Sequence, residues 1–207
     1  MIVFSGYWEV KDNPKPTAKK GHLKHVLDKP IDILFIDRER LDLPFKQYPL
    51  PYNQLPAIDL VKKTKSTRCS TKAGLSIDCN VFHQLRVIWI SKILLFKTVA
   101  DMYPDENEFV WSDCVFAYKL DEVMAAEHSG ITIRSCSYKK SLFSGKLPNV
   151  TLKVSACSIK IHRDNIDNLI DLYIKQVDWA NTNLPVYDEE IILSLMYDQR
   201  PELFKLV

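Results

Sequence analysis

Glycine is scarce in this chain, five residues in 207, and the shortage excludes whole classes of chemistry. No G-x-G-x-x-G and no Walker-type loop occurs, so a phosphate cradle built of glycine backbone is ruled out. Neither H-E-x-x-H nor C-x-x-C is present, which removes the common zinc signatures, and G-x-S-x-G is missing too. Five cysteines (69, 79, 114, 136 and 157) make an odd set without a close pair. They read as free thiols in a reducing compartment rather than a disulfide framework. The start, MIVFSGYWEV, has no basic segment leading a long apolar run, so no signal peptide is expected. The most apolar helical stretch, residues 87–96, is short and broken by Lys92, far from the roughly 20 apolar residues a membrane span needs. The net charge of +2 has no one-signed excess, which argues against a dedicated nucleic-acid binder. A cytoplasmic protein with no transmembrane segment is the expectation.

What is present suits one domain over residues 1–207, with 46% hydrophobic and 26% charged residues. Residues 1–6 form a compact apolar run, and residues 31–36 (IDILFI) form a second, ending in Asp37. With a short helix over 17–27 between them, they make a βαβ unit and therefore a parallel pair. Residues 41–56, rich in proline and aromatics, read as a surface loop, and 57–65 as a short helix. Over residues 81–103 apolar side chains recur at helical spacing, and Pro104 stops the helix. Residues 108–113 then form a central strand that is apolar until it delivers Asp113. Beyond it come a helix at 119–128, strands at 131–135 and 150–161 with a bend at 155–157, and helices at 164–177 and 188–197. Residues 137–147 read as a hairpin or lid.

Against this apolar background a few polar residues stand out. Lys92 lies inside an apolar helix and is costly to bury unless it snorkels or meets an anion. Asp113 lies at a strand tip, where ligands of open α/β sheets bind. Asp188, Glu189 and Glu190 open a helix, where capping and the helix dipole explain acids and acid–base chemistry is the alternative. Lys62, Lys63, Lys65, Arg68 and Lys72 make a basic patch that is either a solvated loop or a lip for an anionic ligand. His22 and His25 are spaced to share a helix face, with exposure the simpler role than metal binding.

The segments GYWEV, ILFID, WISKILLFKTVADMYPDENEFVWSDC, VSACSIKIHRDN and YDEEIILSLMYDQRPELF occur in an order that resembles GT-A-fold glycosyltransferases. The pattern is similar to the HtrL/YibB-like group of bacterial members, and the stretch 188–204 carries most of the likeness. The resemblance implies a three-layer α/β/α domain with a mostly parallel mixed sheet. Its nucleotide-binding half covers about residues 1–118 and its acceptor side 119–207. It further implies that Gly6, Tyr7, Trp8, Asp37, Lys92 and Asp113 hold the nucleotide, and that Ser155, Ala156 and Cys157 form a small-residue turn under the sugar. Asp188 and Glu189 would be the catalytic pair. Asp113 matches the first acid of the family's D-x-D motif and would meet a divalent metal, manganese or magnesium. The second acid position is Val115 here, which cannot ligate.

The activity so implied is transfer of a sugar from a nucleoside diphosphate, a UDP-sugar in the first place, to a glycan or other acceptor. Stabilisation of the departing diphosphate would then dominate catalysis. The rival expectation is a GT-A-like domain without catalysis that binds a nucleotide sugar, a glycan or a protein. Val115 favours that rival; the retained Lys92, Asp113, Asp188 and Glu189 favour the enzyme.

Overall fold

The computed structural model describes residues 1–12, 27–37, 42–63, 68–70, 76–114, 119–140, 150–184 and 186–207. Nearly all of the helix expected at 17–27 lies outside the described residues. So do His22, His25, Lys65, Lys72, Val115 and positions 141–147 of the expected lid.

A seven-stranded mixed sheet forms the middle of the protein. Strands β1 (Ile2–Tyr7), β2 (Ile33–Ile36) and β3 (Lys46–Pro49) run parallel on one side. Two further strands, β4 (Arg68–Ser70) and β5 (Ser76–Asp78), form a separate antiparallel pair. Helix α1 spans Cys79–Met102 and leads to strand β6 (Glu108–Ser112), which is parallel to β1 on its other edge. After a short helix α2 (Leu120–Ala125), the long strands β7 (Ile131–Lys140) and β8 (Val150–His162) pair antiparallel, and β8 also pairs antiparallel with β6. Helices α3 (Ile166–Asn183) and α4 (Glu189–Gln199) follow, and β9 (Phe204–Leu206) closes the far edge parallel to β7. The order is β3-β2-β1-β6-β8-β7-β9.

Two apolar layers explain why these segments are strands. All four residues of β2 are buried, as is the stretch from Phe109 to Ser112 in β6, the pattern of strands covered on both faces. On one face Phe4, Phe35, Phe109, Trp111 and Ile159 pack with α1, α3 and α4. On the other, Val3, Leu34, Ile36 and Val110 pack with Leu120 of α2. The three-layer α/β arrangement is as expected.

Helix α1 begins two residues earlier than its apolar periodicity suggests. Asp78 caps it, accepting from the amides of Asn80 at 2.8 Å and Val81 at 3.4 Å. At its far end Arg163, from the turn after β8, donates to the carbonyl oxygens of Ala100, Tyr103 and Glu106 and stacks on Phe109. A distant arginine therefore satisfies the last helical carbonyls.

Some expectations need correction. The stretch 41–56 contains strand β3, whose residues are exposed or half-buried and so show no apolar alternation. It is an edge strand, where Pro49 is tolerated, and pairing with β2 defines it. Residues 57–61 form turns, not a helix, with Ala57 and Val61 tucked into the core. Strand β9 and the β4–β5 pair were not expected. The strand at 131–135 continues to Lys140 and pairs back onto β8. Finally, Ser155, Ala156 and Cys157 lie within β8, not in a turn. The register jumps there, with Ile133 opposite Ile159 but Arg134 opposite Ser155, so a bulge supplies the expected bend. Bulges commonly re-aim side chains beside functional sites.

Candidate active site

The chain reverses its direction of growth at β1. It first adds β2 and β3 on one side and later β6 on the other. The carboxyl ends of β1 and β6 thus meet at a topological switch point, the place where open α/β sheets bind ligands. Asp113 is the first residue past β6. Its amide donates to the Cys157 carbonyl at 2.8 Å, which extends the ladder onto the bulged part of β8.

Trp111 and Asp113 are two apart, so the strand period puts both on the face that carries α1. The Trp111 indole Nε1 donates to Asp113 Oδ1 at 2.8 Å. The same oxygen lies 2.8 Å from Lys92 Nζ, which is also 3.0 Å from Glu189 Oε1. The ammonium sits 5.7 Å from the centre of the Trp111 ring, within range of a cation–π contact. Three elements therefore converge: the middle of α1, the tip of β6 and the first turn of α4. Lys92 does not snorkel, since only 6% of its side chain is exposed. Burial opposes its charge more than any other single influence, but the Asp113 and Glu189 carboxylates together raise its pKa well above the ordinary lysine value. Burial in turn pushes Glu189 above the usual carboxylate range, and Lys92 works against that rise.

The acids that open α4 have separate tasks. Asp188 is the N-cap, its Oδ1 accepting from Ile191 N at 3.0 Å. Glu189 is buried against Lys92. Half-buried Glu190 turns toward β8, where Ser155 Oγ donates to its Oε1 at 3.4 Å. Ser155 also lies 3.3 Å from the Cys157 sulfur. Burial, reinforced by Asp113, pushes the Cys157 thiol up to about 11. Ala156 is buried in the core.

At the tip of β1, Gly6 is required by packing. A Cβ there would meet the Trp8 ring at 2.1 and 2.3 Å. Trp8 is itself buried, its indole donating to Leu50 O at 2.8 Å, so it forms a wall beneath the strand tip. Tyr7 is half-buried, and burial followed by Glu9 raises its hydroxyl pKa. Asp37 accepts from Tyr52 N at 2.9 Å. The tips of β1 and β6 are stitched through Ser5 Oγ, which donates to Ser112 O at 2.5 Å, and Cys114 Sγ, which donates to Gly6 O at 3.2 Å.

Sequence reasoning missed Lys29, whose Nζ donates to the Asp113 carbonyl at 2.5 Å. No local signal marks it, because its partner is 84 residues away. The Trp111–Asp113 bond was not anticipated either, although a spacing of two puts both side chains on one strand face. Lys62 and Lys63 are exposed, as a solvated loop requires.

Among the described residues, no group of three His, Cys, Asp or Glu side chains is placed to hold a metal ion, and Asp113 Oδ1 is already shared by Lys92 and Trp111. A divalent ion held by the protein alone does not fit this donor set. No helix among the described residues is long and apolar enough to cross a membrane.

Comparison with known proteins finds no matching family model and no matching curated sequence. The likeness to the HtrL/YibB-like group therefore gains no support from that side. A solved structure of a glycosyltransferase involved in the glycosylation of the major capsid of PBCV-1 is distantly similar. The TM-score is 0.47 at 8% identity, over 100% of this chain and 80% of that one. A likeness this loose fixes neither donor nor chemistry.

Proposed function

We propose that this protein is a GT-A-type glycosyltransferase that moves a sugar from a nucleoside diphosphate, a UDP-sugar foremost, to a glycan or other acceptor. The observation that carries the proposal is the Asp113 carboxylate at the switch point, oriented by Lys92 and Trp111 from two different elements. Orienting bonds of this kind preorganise a charge for a reaction.

In this proposal the donor nucleotide lies over the tips of β1, β2 and β6 in the 1–118 half. Tyr7 and Asp37 contact base and ribose, with Gly6 and Trp8 as the floor. Asp113 faces the ribose and diphosphate. The sugar lies against Ser155, Ala156 and Cys157, with the acceptor approaching from the 119–207 half. As the glycosidic bond breaks, positive charge grows on the sugar ring, and the acids opening α4 face it. Glu189 is the catalytic candidate of the pair, because Asp188 is committed to its cap. Lys92 acts through Asp113 and Glu189, not by touching phosphate, since both carboxylates hold its ammonium.

Lys92 is held by Asp113 and Glu189, and Asp188 and Glu190 add their charge beside Glu189. A diphosphate entering this neighbourhood would be helped by a cation. Magnesium is often held by one or two carboxylates plus substrate phosphates, so manganese or magnesium is proposed only as the donor's companion, with Asp113 as its one protein ligand. Such an ion would offset the charge of the leaving diphosphate. A cytoplasmic setting belongs to the same proposal, supported by the free thiols of Cys114 and Cys157.

One observation favours the rival, a binding domain without catalysis: Asp188 and Lys92 are both occupied structurally. A thermal-shift panel of nucleoside diphosphates with and without manganese, followed by donor turnover, separates the two. The enzyme reading expects a raised melting point with one diphosphate, measurable hydrolysis or transfer, and loss of about a hundredfold or more of the rate in Asp113→Asn and Glu189→Gln. Binding without turnover of any nucleotide sugar establishes the rival.

A further inference from the structure

The charge that a diphosphate would meet first is not on the helix where the sequence places it. Lys92 is buried and divided between Asp113 and Glu189 at 2.8 and 3.0 Å. To meet a phosphate, its ammonium would have to abandon two carboxylates inside the protein, which strands their charge. The Lys29 ammonium is placed differently. Among the described residues its one hydrogen-bond partner is the neutral carbonyl oxygen of Asp113, at 2.5 Å, and no carboxylate pairs with it. An ammonium has three N–H donors, so the carbonyl leaves two for another acceptor.

The backbone holds Lys29 where it is. Ile31 N donates to Lys29 O at 2.8 Å, Asp32 N donates to Val3 O at 2.8 Å, and Val3 N donates back to Asp32 Oδ2 at 2.8 Å. The segment entering β2 is thereby tied to β1, while the side chain reaches the first residue past β6. Its ammonium lies where the tips of β1 and β6 are joined by the Cys114–Gly6 bond. Burial lowers the Lys29 pKa, with Cys114 and then Asp113 acting against it. This cation is partly stripped of water and, among the described residues, has no side-chain anion paired with it. That is an incomplete arrangement, and an incoming anion would complete it.

Resting on the glycosyltransferase reading, we propose that Lys29 is the protein's direct contact to the diphosphate of the donor, and that Lys92 only positions the carboxylates around it. The two lysines then divide the electrostatic work. One is exposed enough to greet a ligand anion, and the other is sealed in to orient Asp113.

Calorimetric titration of the full chain with UDP, uridine and inorganic diphosphate tests this. The parent should prefer UDP to uridine and bind diphosphate by itself. Lys29→Ala should lose about ten- to a hundredfold in affinity for UDP and diphosphate, the range of a charged hydrogen bond, with uridine unchanged. Lys29→Arg should keep most of the affinity, and Lys29→Gln, which preserves a polar chain, should behave as alanine does if the alanine variant folds poorly. Equal losses for UDP and uridine, or an unchanged UDP affinity, overturn the role of Lys29 and leave the enzyme reading standing. A parent that binds neither UDP nor diphosphate overturns both.

Discussion

Strand β6 has a buried lysine at each end, and the two are held in opposite ways. At its start, Lys160 of β8 reaches Glu108 at 2.6 Å and donates to the carbonyl oxygens of Met124 and Ala126, both at 3.1 Å, on the α2 face. At its end, Lys92 is held by side-chain carboxylates from two elements on the α1 face. Lys160 meets the last carbonyls of a short helix, a task of closure, and its one acid is 36% exposed. Among the described residues Lys92 meets no backbone oxygen, and one of its acids lies at the switch point. Burial alone therefore does not mark function. What distinguishes the two is that Lys160 shares its charge between main-chain carbonyls and a half-exposed acid, whereas Lys92 is shared by two side-chain carboxylates from separate elements.

Removing the charge should show the difference most strongly at Lys92. Lys92→Ala leaves Glu189 buried without its cation and should cost about 3–5 kcal/mol, read from urea denaturation. A second substitution, Glu189→Gln, should recover much of that loss, whereas Glu189→Gln alone should cost clearly less than Lys92→Ala, because Lys92 keeps Asp113 as its counter-charge. If the double variant is no more stable than Lys92→Ala, the stranded Glu189 charge is not the cause.

Lys160→Ala should cost less, about 1–3 kcal/mol, from two carbonyls left without their donor, and should leave nucleotide affinity unchanged. A loss of ligand binding there would erase the contrast between the two ends of β6.

The alkaline limb sharpens the comparison further. Lys92 has a folded pKa raised above its unfolded value of about 10.4. A raised pKa stabilises the fold fully below the unfolded value and is lost as pH rises through the folded one. The stability gap between parent and Lys92→Ala should therefore stay constant through neutral pH and shrink only above about pH 10.4. A gap that narrows between pH 7 and 9 would mean that the two carboxylates do not hold the charge.

The smallest effect is expected at the cap. Asp188→Asn should change stability by only a few tenths of a kcal/mol, because asparagine caps equally well, and Asp188→Ala by about 1 kcal/mol. Turnover of Asp188→Asn should stay close to that of the parent. A large loss would return Asp188 to the catalytic pair beside Glu189.

Much of the fold was legible because its signals are local. The apolar runs of β1, β2 and β6 and the helical spacing of α1 need no knowledge of distant residues, since strands covered on both faces must be apolar throughout. Strand β3 escaped because an edge strand is defined by pairing, and Lys46 to Pro49 carry no pattern of their own. Strand β9 is only three residues long and escaped for the same reason. The same divide runs through the site. Asp113 was recognisable as an acid ending an apolar strand, and Lys92 as a charge inside an apolar helix. Their meeting with Glu189, 97 residues from Lys92, was not.

The sequence by itself determined the alternation of strands and helices, the odd acid and the odd lysine, and the cap that starts α4, because each follows from nearest-neighbour preferences and the cost of burying polar groups. Only the tertiary structure decided that Lys92 is held by two carboxylates, that Asp188 caps while Glu189 pairs, and that Lys29 arrives beside Asp113. Electrostatic partners are chosen by distance in space, and distance in space is set by how the sheet orders its strands.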